Sequence, residues 1–113
     1  MVTISTHVLD TSCGAPAMGV SVLLEFIGDG GASSEISRAA TNDDGRAVSL
    51  NPENAVLNPG HYRLTFGAGA YFGSREEPTF YRDIAIDFVV DADRHYHVPL
   101  LLSPFGYSTY RGS

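Results

Sequence analysis

Apolar and polar side chains alternate in short runs along this chain. VTISTHVL, VSVLLEFIG, EISRAAT, RAVSL, HYRLTFGA, DIAIDFVV, HYHVPLLLS and GYSTYRG are rich in β-branched and aromatic residues at a spacing near two, the period at which a strand turns side chains to opposite faces. The pattern predicts about eight strands, enough for a sandwich or barrel. Between them DTSCGAPAMG, GDGGASS, TNDDGR, NPENAVLNPG and VDADR supply the Gly, Pro, Asn and Asp that reverse a chain. GAGAYFGSREEP suits a helical turn, kept short by its glycines and Pro78. No repeat or low-complexity linker divides the sequence, and residues 1–113 read as one domain.

Alternation also sorts the faces. Val2, Ile4 and Val8 share one side of the first strand, with Thr3, Ser5, His7 and Leu9 on the other. Tyr96, Val98, Leu100 and Leu102 oppose His95, His97, Pro99 and Leu101. Each strand therefore has an apolar core face and a second face that mixes imidazole with leucine, a mixture that suits a pocket or subunit interface better than open solvent. At the end of the chain Ser108, Tyr110 and Gly112 form one row, and Tyr107, Thr109, Arg111 and Ser113 form the other. A terminal, weakly charged strand invites pairing with a second chain.

Composition narrows the partners. Hydrophobic residues make up 43% of the chain, ample for a core, while thirteen acids against seven arginines give a net charge of −6. That balance argues against nucleic acid and against anionic membrane as partners. No apolar run approaches the roughly 20 residues of a transmembrane helix, and MVTISTHVLD has no secretory signature. A single cysteine, Cys13, fits a reducing compartment, so the expected location is cytoplasmic.

Histidine titrates nearest neutral pH. A lone histidine on a strand is most simply an ordinary hydrogen-bonded group, but His7 and His97 fall on matching faces. HYH also sets His95 and His97 on one side of a strand, where with His7 they could share a metal, although no carboxylate or cysteine stands at a ligand spacing. Arg46 follows the TNDDG turn and is displayed at a strand start. Cys13 lacks a neighbouring histidine and reads as a loop thiol, and His61 as structural. Neither a G-x-S-x-G elbow, a P-loop nor a zinc-protease helix is present.

HVLDTSCGAPAMGVSV, TNDDGR and HYHVPLLLSPFGYSTYRGS resemble the transthyretin-related family whose members act as 5-hydroxyisourate hydrolases, and YRGS resembles that family's closing tetrapeptide. The likeness runs from His7 to Ser113. Transthyretin, the hormone carrier of the same fold, shares the VLD…G.PA and LLSP…YST elements but lacks the catalytic histidines and the YRGS ending. The resemblance implies an all-β, transthyretin-like sandwich of two four-stranded sheets with one short helix. It also implies a homotetramer, a dimer of dimers, with the ligand channel crossing the interface between dimers.

Carried over by motif, the catalytic set is His7, Arg46 and His97, with Ser108, Tyr110, Arg111, Gly112 and Ser113 binding substrate and closing the pocket. The implied reaction opens the lactam of 5-hydroxyisourate to 2-oxo-4-hydroxy-4-carboxy-5-ureidoimidazoline, a step of urate degradation, with neither metal nor organic cofactor. A passive carrier of small aromatic ligands is the rival reading. Arg82 in FYRDI stands where the family is expected to carry proline.

Overall fold

The structure is a computed structural model that describes residues 1–113. Nine strands and one α-helix follow one another as β1 (Thr3–Asp10), β2 (Ala15–Pro16), β3 (Ser21–Ile27), β4 (Ser33–Ala40), β5 (Arg46–Ala47), β6 (Gly60–Phe66), α1 (Ala68–Ser74), β7 (Ile84–Val90), β8 (His95–Ser103) and β9 (Gly106–Thr109). They form two sheets. One runs β4-β3-β6-β7 and is antiparallel throughout; the other runs β2-β1-β8-β9, with β5 also paired to β1. The second sheet thus has five strands. Its two-residue pieces, β2 and β5, share one side of β1 in succession, Pro16 opposite Leu9 and Arg46 opposite His7.

RAVSL contributes only Arg46–Ala47 to a strand. Beyond it, Asn51 leaves sheet geometry and caps β1 through its side chain, with Oδ1 accepting from the Ile4 N–H (3.0 Å) and Nδ2 donating to the Val2 carbonyl (2.7 Å). Side-chain bonds to backbone here replace ladder bonds.

The core lies between the sheets. Ile4, Val8, Val98, Leu100 and Leu102 on one side meet Val22, Leu24, Tyr62, Leu64 and Phe66 on the other, all buried. Strand alternation places these residues as expected and also buries Thr6 and Asp10 on the core side of β1. Each has a partner, as burial requires: the Thr6 hydroxyl donates to the Val98 carbonyl at 2.5 Å, and Asp10 accepts from the Tyr71 hydroxyl at 2.8 Å and from Ser12 Oγ at 2.5 Å. Burial raises the Asp10 pKa, but the bonds from Ser12 and Tyr71 outweigh it and hold the carboxyl below its usual range. Tyr71 lies on α1, so this buried carboxylate anchors the helix to the end of β1.

The critical connection is between β1 and β8. They pair in parallel over the whole of β1, from Thr3↔His95 through Ser5↔His97 and His7↔Pro99 to Asp10↔Leu102. Because both strands turn the same parity inward, their outer faces align. Thr3, Ser5, His7 and Leu9 stand beside His95, His97, Pro99 and Leu101 on one surface. No helix is long and apolar enough to cross a membrane.

Candidate active site

The outer surface of β1 and β8 gathers the histidines, and two devices complete it. The first is the TNDDGR turn. Asn42 Oδ1 accepts from the backbone N–H groups of Asp44 (2.9 Å) and Arg46 (3.0 Å), while the Gly45 N–H donates to the Asn42 carbonyl at 2.9 Å. Gly45 has φ +75°, and a Cβ there would run into the Val8 carbonyl, so the reversal needs glycine on both counts. The turn is thereby pressed against β1 with Arg46 directly across from His7.

The second device is the tail. The β8–β9 register, Leu102↔Tyr107, Leu101↔Ser108 and Leu100↔Thr109, lapses after Thr109 and returns at the isolated bridge His97↔Gly112. The Gly112 N–H donates to the His97 carbonyl at 2.9 Å. A Cβ at Gly112 would lie 2.6 Å from His97 Cδ2. The glycine therefore lets the backbone close on one edge of the imidazole.

Hydrogen bonds assign work to the ring nitrogens. His7 Nε2 lies 2.9 Å from the Asp44 carbonyl, which can only accept, so that nitrogen carries a proton and Nδ1 alone is left for chemistry. His97 Nδ1 lies 2.7 Å from Ser5 Oγ, and its Nε2 has no protein partner. Burial first, then the charges of Arg46, His95 and His7, lower the His97 pKa below the ordinary histidine value. The ring is therefore neutral at pH 7 and has a lone pair to offer, as a general base requires.

Two cavities meet at His97. One, of about 410 Å³, is a polar cleft on the outer face lined by Ser5, Thr6, Arg46, Val48, His97 and Ser113. The other, of about 330 Å³, lies between the free edges of the two sheets and includes Asp87, Phe88, Tyr96, Thr109, Tyr110 and Arg111 in its wall. Arg46, His97 and Ser113 are thus brought together, with His7 beside Arg46 in the ladder. Arg111 is turned the other way, its guanidinium over the Tyr96 ring at 5.6 Å from the centroid. Tyr110 lines the second cavity and is 58% exposed, while Ser108, opposite Leu101, lines neither. No three His, Cys, Asp or Glu side chains are grouped to hold a metal ion. His95 and His97 instead share Ser5, with His95 Nε2 at 2.8 Å from its hydroxyl.

Residue-type reasoning passed over Ser5 and Val48. Ser5 carried a usable signal, the histidine-bearing row of β1, but its partner becomes visible only once the parallel register is known. Val48 lies in the irregular stretch after β5, where alternation gives no direction.

The chain is similar to known proteins over nearly its whole length. Residues 4–112 match the family model described as HIUase/Transthyretin family. The 5-hydroxyisourate hydrolase of Salmonella dublin is 47% identical over 111 residues, covering 97% of this chain and 80% of that protein. The solved structure of Klebsiella pneumoniae 5-hydroxyisourate hydrolase is 40% identical and superposes with a TM-score of 0.85, over 98% of this chain and 99% of that one. Sea bream transthyretin in complex with thyroxine superposes with a TM-score of 0.89 at 28% identity, covering 96% of this chain and 93% of its own.

The contact between Gly112 and His97 yields a direct test. Gly112→Ala should push the imidazole aside, shift the His97 ring resonances and slow any proton transfer at that ring by about 100-fold, the order expected for a displacement near 1 Å. The melting temperature should change little, since the tail lies outside the core. Unchanged His97 resonances would contradict the close-approach role.

Proposed function

The chain belongs to the HIUase/Transthyretin family, and from that premise we propose that it hydrolyses 5-hydroxyisourate with His97, Arg46 and His7 as the reacting groups. The observation that carries the mechanism is the placing of His97, its Nδ1 held by Ser5 and its Nε2 unpartnered, in the same cleft as Arg46.

The steps follow from the donor set. His97 Nε2 takes a proton from water as the oxygen attacks the lactam carbonyl carbon. Negative charge grows on the carbonyl oxygen, and the guanidinium of Arg46 pairs with it. The tetrahedral intermediate collapses with cleavage of the C–N bond, and the departing nitrogen receives a proton from the imidazolium of His97. His7, with Nε2 committed to the Asp44 carbonyl, presents Nδ1 as the second polar group. The backbone of Gly112 and Ser113 closes one side of the cleft. These groups supply proton transfer and charge stabilisation for an already labile ring, so the reaction calls for neither metal nor organic cofactor.

The site is finished by assembly. Val89 on β7 and Tyr107 on β9, at the free edges of the two sheets, are 68% and 42% exposed. Leu9 and Leu101 are only half-buried on the outer face. Unpaired edges and an apolar outer row are both relieved by further copies of the chain, so the protein is a homotetramer, a dimer of dimers, in which Tyr110 and Ser108 face the channel and Tyr110 narrows it. Arg111 reaches substrate only if it leaves Tyr96 on assembly. The free thiol of Cys13 suits a cytoplasmic setting. The carrier reading is weaker, because the outer cleft presents mainly polar and charged groups.

Purified protein should speed the ultraviolet decay of freshly generated 5-hydroxyisourate in the presence of a chelator, and His97→Asn should lower kcat/KM by about 100-fold or more. Since the base must be unprotonated, and burial and Arg46 lower its pKa, the rate should fall on acidification with a midpoint below the usual histidine value of about 6.5. A midpoint above that value, or activity lost to chelation and restored by zinc, would overturn the mechanism. Light scattering at micromolar concentration should give the mass of four chains; a monomer would contradict the assembly.

A further inference from the structure

His95 lies outside both cavities, yet it is joined to His97 by an unbroken run of short hydrogen bonds. Thr3 Oγ1 lies 2.5 Å from His95 Nδ1, His95 Nε2 lies 2.8 Å from Ser5 Oγ, and Ser5 Oγ lies 2.7 Å from His97 Nδ1. The two rings are nearly parallel, 20° apart with centroids at 6.4 Å. Ser5 itself is only 6% exposed, so water does not readily replace either imidazole as its partner.

A serine hydroxyl has one proton. Bonded to two ring nitrogens, it must donate to one and accept from the other, so the chain has a direction. In one direction His97 Nδ1–H donates to Ser5, Ser5 donates to His95 Nε2, and His95 Nδ1–H donates to Thr3. His97 Nε2 is then bare. In the other direction every donor reverses, and a neutral His97 has its proton on Nε2, where it cannot act as a base. Arg46 shares the outer cleft with His97, and its fixed positive charge favours the form whose lone pair, not its N–H, is turned to the cleft.

We propose that His95 is a positioning residue for His97, acting through Ser5: the Thr3–His95–Ser5–His97 chain keeps the His97 proton on Nδ1 and leaves Nε2 bare in the cleft. This rests on the hydrolase reading for its consequence, though not for its structure. When His97 takes a proton from water at Nε2, its Nδ1 proton can pass to Ser5 Oγ as the Ser5 proton passes to His95 Nε2. The positive charge then sits on the exposed ring of His95, away from Arg46, and the reverse shift returns the proton for the leaving nitrogen.

The test uses protein with 15N-labelled histidine, read by imidazole NMR at a pH where His97 is neutral, together with steady-state kinetics. Wild type should show His97 as the Nδ1–H form. Ser5→Ala and His95→Phe should both mix in the Nε2–H form and lower kcat by about 10-fold, and in His95→Phe KM should be nearly unchanged because His95, unlike Ser5, does not line the cleft. His95→Gln, whose amide reaches the place of Nε2, should restore the Nδ1–H form and most of kcat. Should Ser5→Ala fail to fold, His95→Phe alters an exposed side chain and still decides the matter. An unchanged His97 tautomer in His95→Phe would overturn the proposal. Wild-type protein inactive on 5-hydroxyisourate but with His97 held as Nδ1–H would leave the positioning role standing and overturn the hydrolase reading instead.

Discussion

The parallel pairing of β1 with β8 is the constraint on which the rest of this structure depends. Its partners are about as far apart in sequence as the chain allows: the Ser5–His97 hydrogen bond spans 92 positions. Closing such a loop costs entropy that grows only slowly with length, and the pairing is stabilised by the apolar rows that both strands bury, Ile4 and Val8 with Val98, Leu100 and Leu102. The same register that aligns those core rows aligns His7, Ser5, His95 and His97 on the opposite face. A slip by one residue would expose the core row and bury the histidines together. Site and core are therefore specified by one set of interactions.

Around that seam the electrostatics are arranged with opposite aims at two levels. Asp10, on the core side of β1, is kept ionised by hydrogen bonds from Ser12 and Tyr71 despite its burial. His97, on the outer side of β8, is kept neutral by burial and by the charge of Arg46. One group anchors a helix, and the other keeps a lone pair available. Arg46 lowers the basicity of His97 and, in the mechanism proposed above, pairs with the oxyanion, so moving it would alter two properties of the site at once. The closed TNDDGR turn, with Asn42 holding two backbone N–H groups, fixes the backbone from which the exposed Arg46 side chain projects.

Much of this was legible in the sequence, for definite reasons. Period-two alternation in THVL and HYHVPLLL placed the core and outer rows correctly because both strands are half-buried, the case in which alternation is sharpest. Motif resemblance supplied the family and named Arg46 and His7 in one set, while the side-by-side pairing of the two comes from the short β1–β5 ladder. What was not legible depends on contacts between distant strands. RAVSL alternates like a longer strand but leaves the sheet after Ala47, since the competing partner, the Asn51 side chain, lies outside any local pattern. Ser5 lies in the histidine-bearing row of β1, but its bond to His97 is set by the parallel register and not by any local pattern. Arg111 shares its alternation row with Ser113, yet in the single chain its guanidinium prefers the face of Tyr96, an interaction of charge with an aromatic ring that spacing does not reveal.

In the proposed mechanism chemistry occurs in the outer cleft at His97 Nε2, and not in the neighbouring cavity that shares the same histidine. A crystal structure of the assembled protein with a stable cyclic-imide analogue of the substrate tests this most directly. A carbonyl oxygen should be paired with the Arg46 guanidinium, its carbon on the Nε2 side of His97, and the tail at Gly112 and Ser113 closed over one edge. An analogue seated between Phe88, Tyr96 and Arg111, with Arg46 left in solvent, would contradict it.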